Sequence, residues 1–169
     1  MRVGLQIAGT ITPRSGGEYT FVADLLTALS RRQHTTPHEF VLCYRDGAKA
    51  LISQFQDFET VNIDSECPPG DDWEDRVTGL LHNNGIQFNV LMQHWAAATY
   101  DVPYATHLWD VQHRNNPWFP EVSHGGAWEK REELISRILQ RATFVITGSE
   151  TSREEITRYY RLQEDRRYF

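Results

Sequence analysis

The segment of residues 107–126 concentrates side chains that could bind or transform a polar ligand. It reads HLWDVQHRNNPWFPEVSHGG, with three His, two Trp, Asp110 and Arg114, and it follows an apolar stretch of strand length. A long loop without secondary structure of its own is usually functional or disordered, and the aromatic content here argues against disorder. Aromatic rings stack on the C–H faces of sugars while polar groups bind the hydroxyls, so the segment favours a carbohydrate or another polar organic ligand.

A glycine pair, Gly16-Gly17, lies between an apolar stretch near the amino terminus and the pattern of an amphipathic helix. The loop lacks the Gly-Lys-Ser/Thr of a Walker loop and the Gly-x-Gly-x-x-Gly of a dinucleotide site. At the start of a helix, free backbone N–H groups and the helix dipole can hold a phosphate or a sugar hydroxyl. The alternative interpretation is an ordinary flexible turn.

Two further groups have weaker signals. Ser149-Glu150 follows the last strand-like stretch, where a serine is explained adequately as a helix N-cap. Histidines that could ligate a metal are His94, His107, His113 and His124. No pair among them has i, i+4 helical spacing or a Cys partner, so we expect no metal and no cofactor, and a buried, hydrogen-bonded imidazole is the plainer interpretation of each.

Apolar stretches of strand length alternate along the chain with stretches of helical period. Strands are predicted at residues 3–8, 40–44, 59–63, 87–92, 103–108 and 143–147. Helices are predicted near 21–29, 48–55, 73–81, 128–141 and 149–160. The third should end at Asn83-Asn84-Gly85, where glycine takes a left-handed cap conformation, and the last has Thr151 and Glu154 at capping-box spacing.

This order of elements predicts the fold and the place of a site. Strands separated by helices favour parallel β-α-β units, hence an α/β fold with a doubly wound, mostly parallel sheet and helices on both faces. Ligands bind such sheets at the carboxyl ends of the strands. The glycine pair, the 107–126 segment and Ser149-Glu150 all follow predicted strands, so we expect them at this edge.

Composition and charge limit the class of protein. The 169 residues suit one domain. The net charge is −6, and the stretch 57–75 holds acids but no Lys or Arg, which indicates a solvated face and argues against a basic surface for nucleic acid or anionic lipid. Cys43 and Cys67 are too few for a disulfide framework. The chain has no signal-peptide pattern and no 18-residue apolar stretch, so we expect a cytoplasmic chain with no integral membrane segment.

Three stretches, in order, resemble the family 4 glycosyltransferases, retaining enzymes with the GT-B fold of two facing Rossmann-like domains. They are the Gly16-Gly17 loop with its Tyr-Thr-Phe-Val helix, the 103–119 segment with Trp-Asp-Val-Gln-His, and Arg-Ala-Thr-Phe-Val-Ile-Thr-Gly-Ser-Glu from Arg141. They are similar to the family's glycine loop, its His-Asp-Leu-Gln-His segment and its Arg-Ala-Asp-x-Val-Ile-x-x-Ser-Glu segment. The likeness runs with gaps from Met1 to about Tyr160.

The resemblance implies a single Rossmann-like, acceptor-side domain over residues 1–169. Its enzyme would move a sugar from a nucleotide-diphosphate sugar to a saccharide or glycan acceptor. The family holds the donor mainly in a second domain, through two glutamates eight positions apart. Glu66 with Glu74, and Glu121 with Glu129, have that spacing in the wrong structural context. We therefore expect the donor domain to be absent and this chain to be inactive alone.

The resemblance also implies roles by position. Gly16 and Gly17 would lie at the donor phosphates or the acceptor. Asp110 and His113 would line the cleft near the transferred sugar as catalytic residues, with Ser149-Glu150 at its border. Many family members have a histidine directly before the aspartate where this chain has Trp109. The residue that orients the donor would then be His113 or His107, or the chain would have no residue with that role.

The two tryptophans of the segment are predicted to differ in function. Strand alternation should direct His107 and Trp109 to one side and Leu108 to the other, which makes Trp109 a packing residue. Pro117 restricts the backbone beside Trp118 and could hold that ring out to stack on a sugar. We assign His107 and Trp118 to the substrate site.

Two other function classes compete with a transferase. The same cleft could hold a saccharide or a nucleotide without catalysis, as a free-standing binding module. A nicotinamide-dependent oxidoreductase is disfavoured because the glycine fingerprint is missing.

Overall fold

The computed structural model describes residues 1–68, 70–93 and 101–162. Within these ranges, six strands form one parallel sheet: β1 (Arg2–Ile7), β2 (Glu39–Tyr44), β3 (Glu59–Asn62), β4 (Phe88–Leu91), β5 (Tyr104–His107) and β6 (Phe144–Ile146). The order across the sheet is β3-β2-β1-β4-β5-β6. The chain therefore winds outward in both directions from the central pair β1 and β4, which confirms the predicted doubly wound α/β fold.

Helical segments connect and cover the strands. In the described part of the chain they are α1 (Gly17–Arg32), α2 (Lys49–Ile52), α3 (Ile63–Glu66), α4 (Trp73–Asn83), α5 (Gln112–Asn115), α6 (Pro120–Ser123), α7 (Ala127–Arg141) and α8 (Glu150–Tyr160). Within those same ranges, none is both long and apolar enough to cross a membrane.

The core divides between the two faces of the sheet because side chains alternate along each strand. On one face, Leu5 and Leu42 pack with apolar residues of α1 and α2. On the other face, Val41 packs with α4, while Leu91 and Val145 pack with α7 and α8. Both faces are covered, which explains why buried strands such as β2 read as continuous apolar runs.

Most predicted elements are confirmed to within a few residues, including the left-handed Gly85 after α4, whose φ is 67°. Two details are wrong. The 107–126 segment is not an irregular loop, because it contains α5, α6 and a 3-10 turn at His124–Gly126. The capping box at Thr151 and Glu154 does not form, because Ser149 caps α8 by accepting from the Ser152 backbone N–H.

The ends of β1 and β4 are tied together at the point where the sheet order reverses. The buried Gln93 side chain follows β4, and its Oε1 accepts a hydrogen bond of 2.9 Å from the Ala8 backbone N–H. The loop after β1 also touches the loop after β2, where Gly47 lies against the Gly9 carbonyl. After β1 and β4 the chain continues toward opposite sides of the sheet, and such a divergence leaves a crevice at the carboxyl ends of the two strands. Ligands of open α/β sheets bind in this crevice.

Candidate functional site

The glycine loop presents an uncapped helix start at the carboxyl edge of the sheet. Thr12 and Ser15 hold a 3-10 turn at Pro13–Ser15, and the chain then enters α1 through Gly16 at a φ of 62°, a value that favours glycine. Gly16 offers no side chain to cap α1. A Cβ at Gly16 or Gly17 would meet nothing within 4 Å, so open space adjoins the first turn of the helix. This geometry suits an anion or a hydroxyl.

An aromatic stack joins α1 to the end of β5. The His107 ring stacks on Phe21 at 4.7 Å between centroids and meets the Trp109 ring edge-on at 4.4 Å, while Phe21 and Trp109 are 4.9 Å apart. Leu108 instead packs against α7 in the other layer. The predicted alternation of His107, Leu108 and Trp109 is therefore confirmed, and Trp109 is a half-buried packing residue.

Two polar atoms of this stack, His107 Nδ1 and Trp109 Nε1, are buried and have no hydrogen-bond partner among the residues that the structure describes. His107 is only 4% exposed. Burial lowers the pKa of His107 to about 4, because the charged imidazolium would lose its hydration. The ring is therefore neutral at physiological pH and can take part in the site only as a neutral hydrogen-bonding group.

Asp110 follows the stack and is partly open to solvent. Its carboxylate accepts a hydrogen bond of 2.9 Å from the Gln112 backbone N–H and lies 4.0 Å from an Arg131 guanidinium nitrogen. Its side chain is 38% exposed. Of the two residues predicted to be catalytic, Asp110 is the one that a ligand can reach at this edge.

The start of α8 adjoins the residues after β5. The Ser152 hydroxyl donates a hydrogen bond of 3.4 Å to the Trp109 carbonyl, and the Ser149 hydroxyl accepts from the Ser152 backbone N–H at 3.1 Å. Glu150 is exposed and pairs with Arg153 at 2.9 Å. Ser149 is thus the helix cap that its position indicated, and the first turn of α8 touches Trp109 through Ser152.

His113 does not line an open cleft, and that prediction is wrong. The side chain is 0% exposed, because α5 turns it into the layer shared with α7 and α8. Its Nε2 lies 3.0 Å from a Glu132 carboxylate oxygen and 3.3 Å from the Tyr160 hydroxyl. Burial lowers the pKa of His113 and outweighs the hydrogen bond to Glu132, which raises it. A catalytic function for His113 stays a prediction, but its contacts are those of a structural residue.

Trp118 lies in the open, between α5 and α6. Its ring is 68% exposed and meets the neighbouring Phe119 ring edge-on at 6.1 Å between centroids. The Phe119 backbone N–H donates to the Asn116 carbonyl at 3.2 Å, which holds the turn. The exposed face of Trp118 is available to stack on a ligand, and its function in sugar binding stays a prediction.

The histidines considered as metal ligands lie apart. His107 and His113 occupy different layers, His124 is exposed in a 3-10 turn, and His94 lies outside the described residues. Within the part of the chain that the structure describes, no three His, Cys, Asp or Glu side chains are grouped to hold a metal ion.

Sequence reasoning missed the most extensive polar network in the neighbourhood, which centres on Glu132 of α7. Its carboxylate contacts His113, Arg114 and Tyr160. Glu132 had no distinguishing signal, because a glutamate on an amphipathic helix is usually a solvated surface residue. A pocket of about 480 Å³ borders the network and is lined in part by Arg114, Tyr159 and Tyr160. It lies beside α7 and α8, away from the glycine loop.

Comparison with known proteins leaves the family assignment as a prediction. No protein-family model matches the chain, and no curated protein sequence matches it.

Proposed function

We propose that this chain is the acceptor-side domain of a retaining glycosyltransferase that moves a sugar from a nucleotide-diphosphate sugar to a saccharide or glycan acceptor. One observation carries the proposal. The three stretches that resemble family 4 enzymes are separate in the sequence, yet each contains or follows a strand that ends at the same edge of the sheet. The Phe21–His107–Trp109 stack links the first stretch to the second. The second is paired with the third as neighbouring strands, and the Leu108 backbone N–H donates to the Ile146 carbonyl at 2.9 Å.

Each group at this edge has a chemical task in the proposal. The uncapped N–H groups at Gly16-Gly17 bind a donor phosphate or an acceptor hydroxyl. Glycosyl transfer with retention develops positive charge at the anomeric carbon, and a carboxylate close to that carbon stabilises it. Asp110 supplies this carboxylate. Trp118 stacks on the acceptor sugar. The neutral His107 ring packs against the Trp109 ring and in this way helps to position the residues of the site.

A binding module without catalysis is the second candidate, and the position of His113 favours it. Of the two residues assigned to catalysis, His113 is buried and hydrogen-bonded to Glu132, which leaves Asp110 as the accessible member of the pair. A site of this kind binds a saccharide through an aromatic ring and a polar group without needing a second catalytic residue.

The first experiment measures binding of nucleotide sugars to the purified chain. Calorimetric titration with UDP- and GDP-sugars should show weak binding, because a second domain is expected to hold the nucleotide. Micromolar affinity for a nucleotide sugar would contradict the assignment of this chain as the acceptor side.

The second experiment tests the acceptor surface with a panel of oligosaccharides, followed by NMR. Trp118→Ala should weaken binding of the best oligosaccharide, and Trp118→Phe should retain most of it because a ring remains. Asp110→Asn keeps the shape and removes the charge. In the presence of a donor-binding domain it should abolish sugar transfer while leaving saccharide binding intact. Saccharide binding with no transfer under any condition would favour the binding module.

A further inference from the structure

We propose that Glu132 is a positioning residue that fixes the turn carrying Asp110. The importance of Asp110 for sugar transfer depends on the proposed function, whereas the positioning itself depends only on contacts within the chain. Glu132 lies on α7, more than twenty residues after Asp110 in the sequence, and its carboxylate contacts α5 and α8.

The turn after Asp110 needs support from outside itself. α5 has only four residues, Gln112–Asn115, and a single helical turn is unstable in isolation because nucleation is costly. Besides backbone hydrogen bonds within the turn, such as that from the Arg114 N–H to the Val111 carbonyl at 2.8 Å, the Asp110 carboxylate accepts a hydrogen bond of 2.9 Å from the Gln112 backbone N–H at the start of α5. The orientation of that carboxylate therefore depends on where α5 lies.

Glu132 holds α5 through two consecutive residues. One carboxylate oxygen lies 3.0 Å from His113 Nε2 and accepts from Arg114 Nε at 2.9 Å, and the other accepts from Arg114 Nη2. Arg114 and Glu132 form a bidentate, charge-assisted ion pair, which is stronger and more directional than a single neutral hydrogen bond. The Tyr160 hydroxyl of α8 donates to the same carboxylate at 3.0 Å.

The electrostatics agree with a fixed, ionised carboxylate. Burial alone would raise the pKa of Glu132, but hydrogen bonds from Arg114, His113 and Tyr160 outweigh it and lower the pKa to about 2. The carboxylate is thus charged over the whole physiological range and keeps these hydrogen bonds. Nε2–H of His113 is then the donor to Glu132, which assigns the imidazole its tautomer.

Two other hydrogen bonds connect the same turn to α7 and α8. The Trp128 indole N–H donates to the His113 carbonyl at 2.8 Å, and the Tyr159 hydroxyl donates to Asn115 Oδ1 at 2.7 Å. These bonds do not depend on Glu132. Loss of the Glu132 carboxylate should therefore loosen the turn locally without unfolding the domain, and this makes the inference testable.

The test is amide hydrogen exchange followed by NMR in Glu132→Gln, which preserves the shape of the side chain. We expect the Gln112 amide to exchange roughly tenfold faster or more, since a hydrogen bond to a charged group contributes at least about that factor. Leu5 in the central strand reports global opening and should change less than about twofold. Arg114→Lys removes the bidentate pair with Glu132 and should also make the Gln112 amide exchange faster.

Glu74→Gln is the matched control, because Glu74 also forms an ion pair with α7, to Arg137 at 2.8 Å, but does not touch α5. It should leave the Gln112 amide unchanged. The inference fails if Gln112 exchanges no faster in Glu132→Gln than in the control. It also fails if Gln112 and Leu5 lose protection equally, since Glu132 would then support only global stability.

The exchange measurement uses no ligand, so its outcome separates the two proposals. If the wild-type chain binds no saccharide, the proposed function fails and the exchange result still decides the function of Glu132. If Gln112 stays protected in Glu132→Gln, the positioning inference fails and the proposed function stands on its own tests.

Discussion

Replacement of Gly47 by alanine should destabilise the domain strongly, although a glycine-to-alanine change is among the smallest possible. Gly47 lies in the turn after β2, where its backbone meets the loop after β1. A Cβ at this position would lie 1.8 Å from the Gly9 carbonyl oxygen and 2.7 Å from the Gly9 carbonyl carbon. Both atoms belong to the backbone, so no side-chain rotation can relieve the contact.

The size of the effect follows from this geometry. The new methyl group would lie roughly 1.5 Å inside van der Waals contact, and one of the two loops must move by about that distance. Overpacking of a rigid site costs typically 1 to 3 kcal/mol, and a backbone partner favours the upper end, so we expect about 3 kcal/mol. The gain from a less flexible unfolded chain offsets only about 0.4 to 1 kcal/mol of this. For a domain of this size, the net effect corresponds to a fall in Tm of roughly 4 to 10 °C.

Urea denaturation of matched variants measures the effect. Gly79→Ala, in the interior of α4, meets nothing within 4 Å and should be neutral or stabilising by up to about 1 kcal/mol, because alanine favours a helix. Gly148→Ala also meets nothing within 4 Å and controls for a change near the candidate site. A Gly47→Ala variant within about 0.5 kcal/mol of the wild type would show that the two loops do not touch as described.

Three further outcomes are expected. Trp109→Ala should lower the free energy of unfolding by about 2 to 4 kcal/mol, as measured by urea denaturation. This loss is smaller than that for truncation of a fully buried aromatic residue, because the Trp109 ring is half-buried. Trp118→Ala should change it by less than about 0.5 kcal/mol, and a large loss would make Trp118 the structural ring instead. The folded pKa of His107 is about 4 and its ordinary value 6.5, so as pH falls through this window the unfolded chain takes up the proton first and stability is lost. Between pH 7 and pH 4, the free energy of unfolding should fall by on the order of 3 kcal/mol less in His107→Phe than in the wild type. Equal falls in the two proteins would contradict the burial argument.

Local patterns in the sequence determined most of the fold. Strand and helix positions follow from apolar periodicity, which each segment carries by itself, and the left-handed Gly85 after α4 follows from backbone sterics alone. The alternation at the end of β5 was also predictable, because successive side chains of a strand point to opposite faces. His107 and Trp109 therefore stack on α1 while Leu108 packs on α7.

Only the tertiary structure decided which polar residues reach the candidate site. His113 and Asp110 are three residues apart, and nothing in their local sequence indicates that α5 buries one and leaves the other partly open. That outcome depends on Glu132, which is distant in sequence and attracts His113 and Arg114 into the layer between α7 and α8. The close approach of Gly47 to Gly9 is likewise a contact between two loops that are separate in the sequence. Contacts between distant segments depend on how the elements pack, and periodicity within one segment carries no information about them.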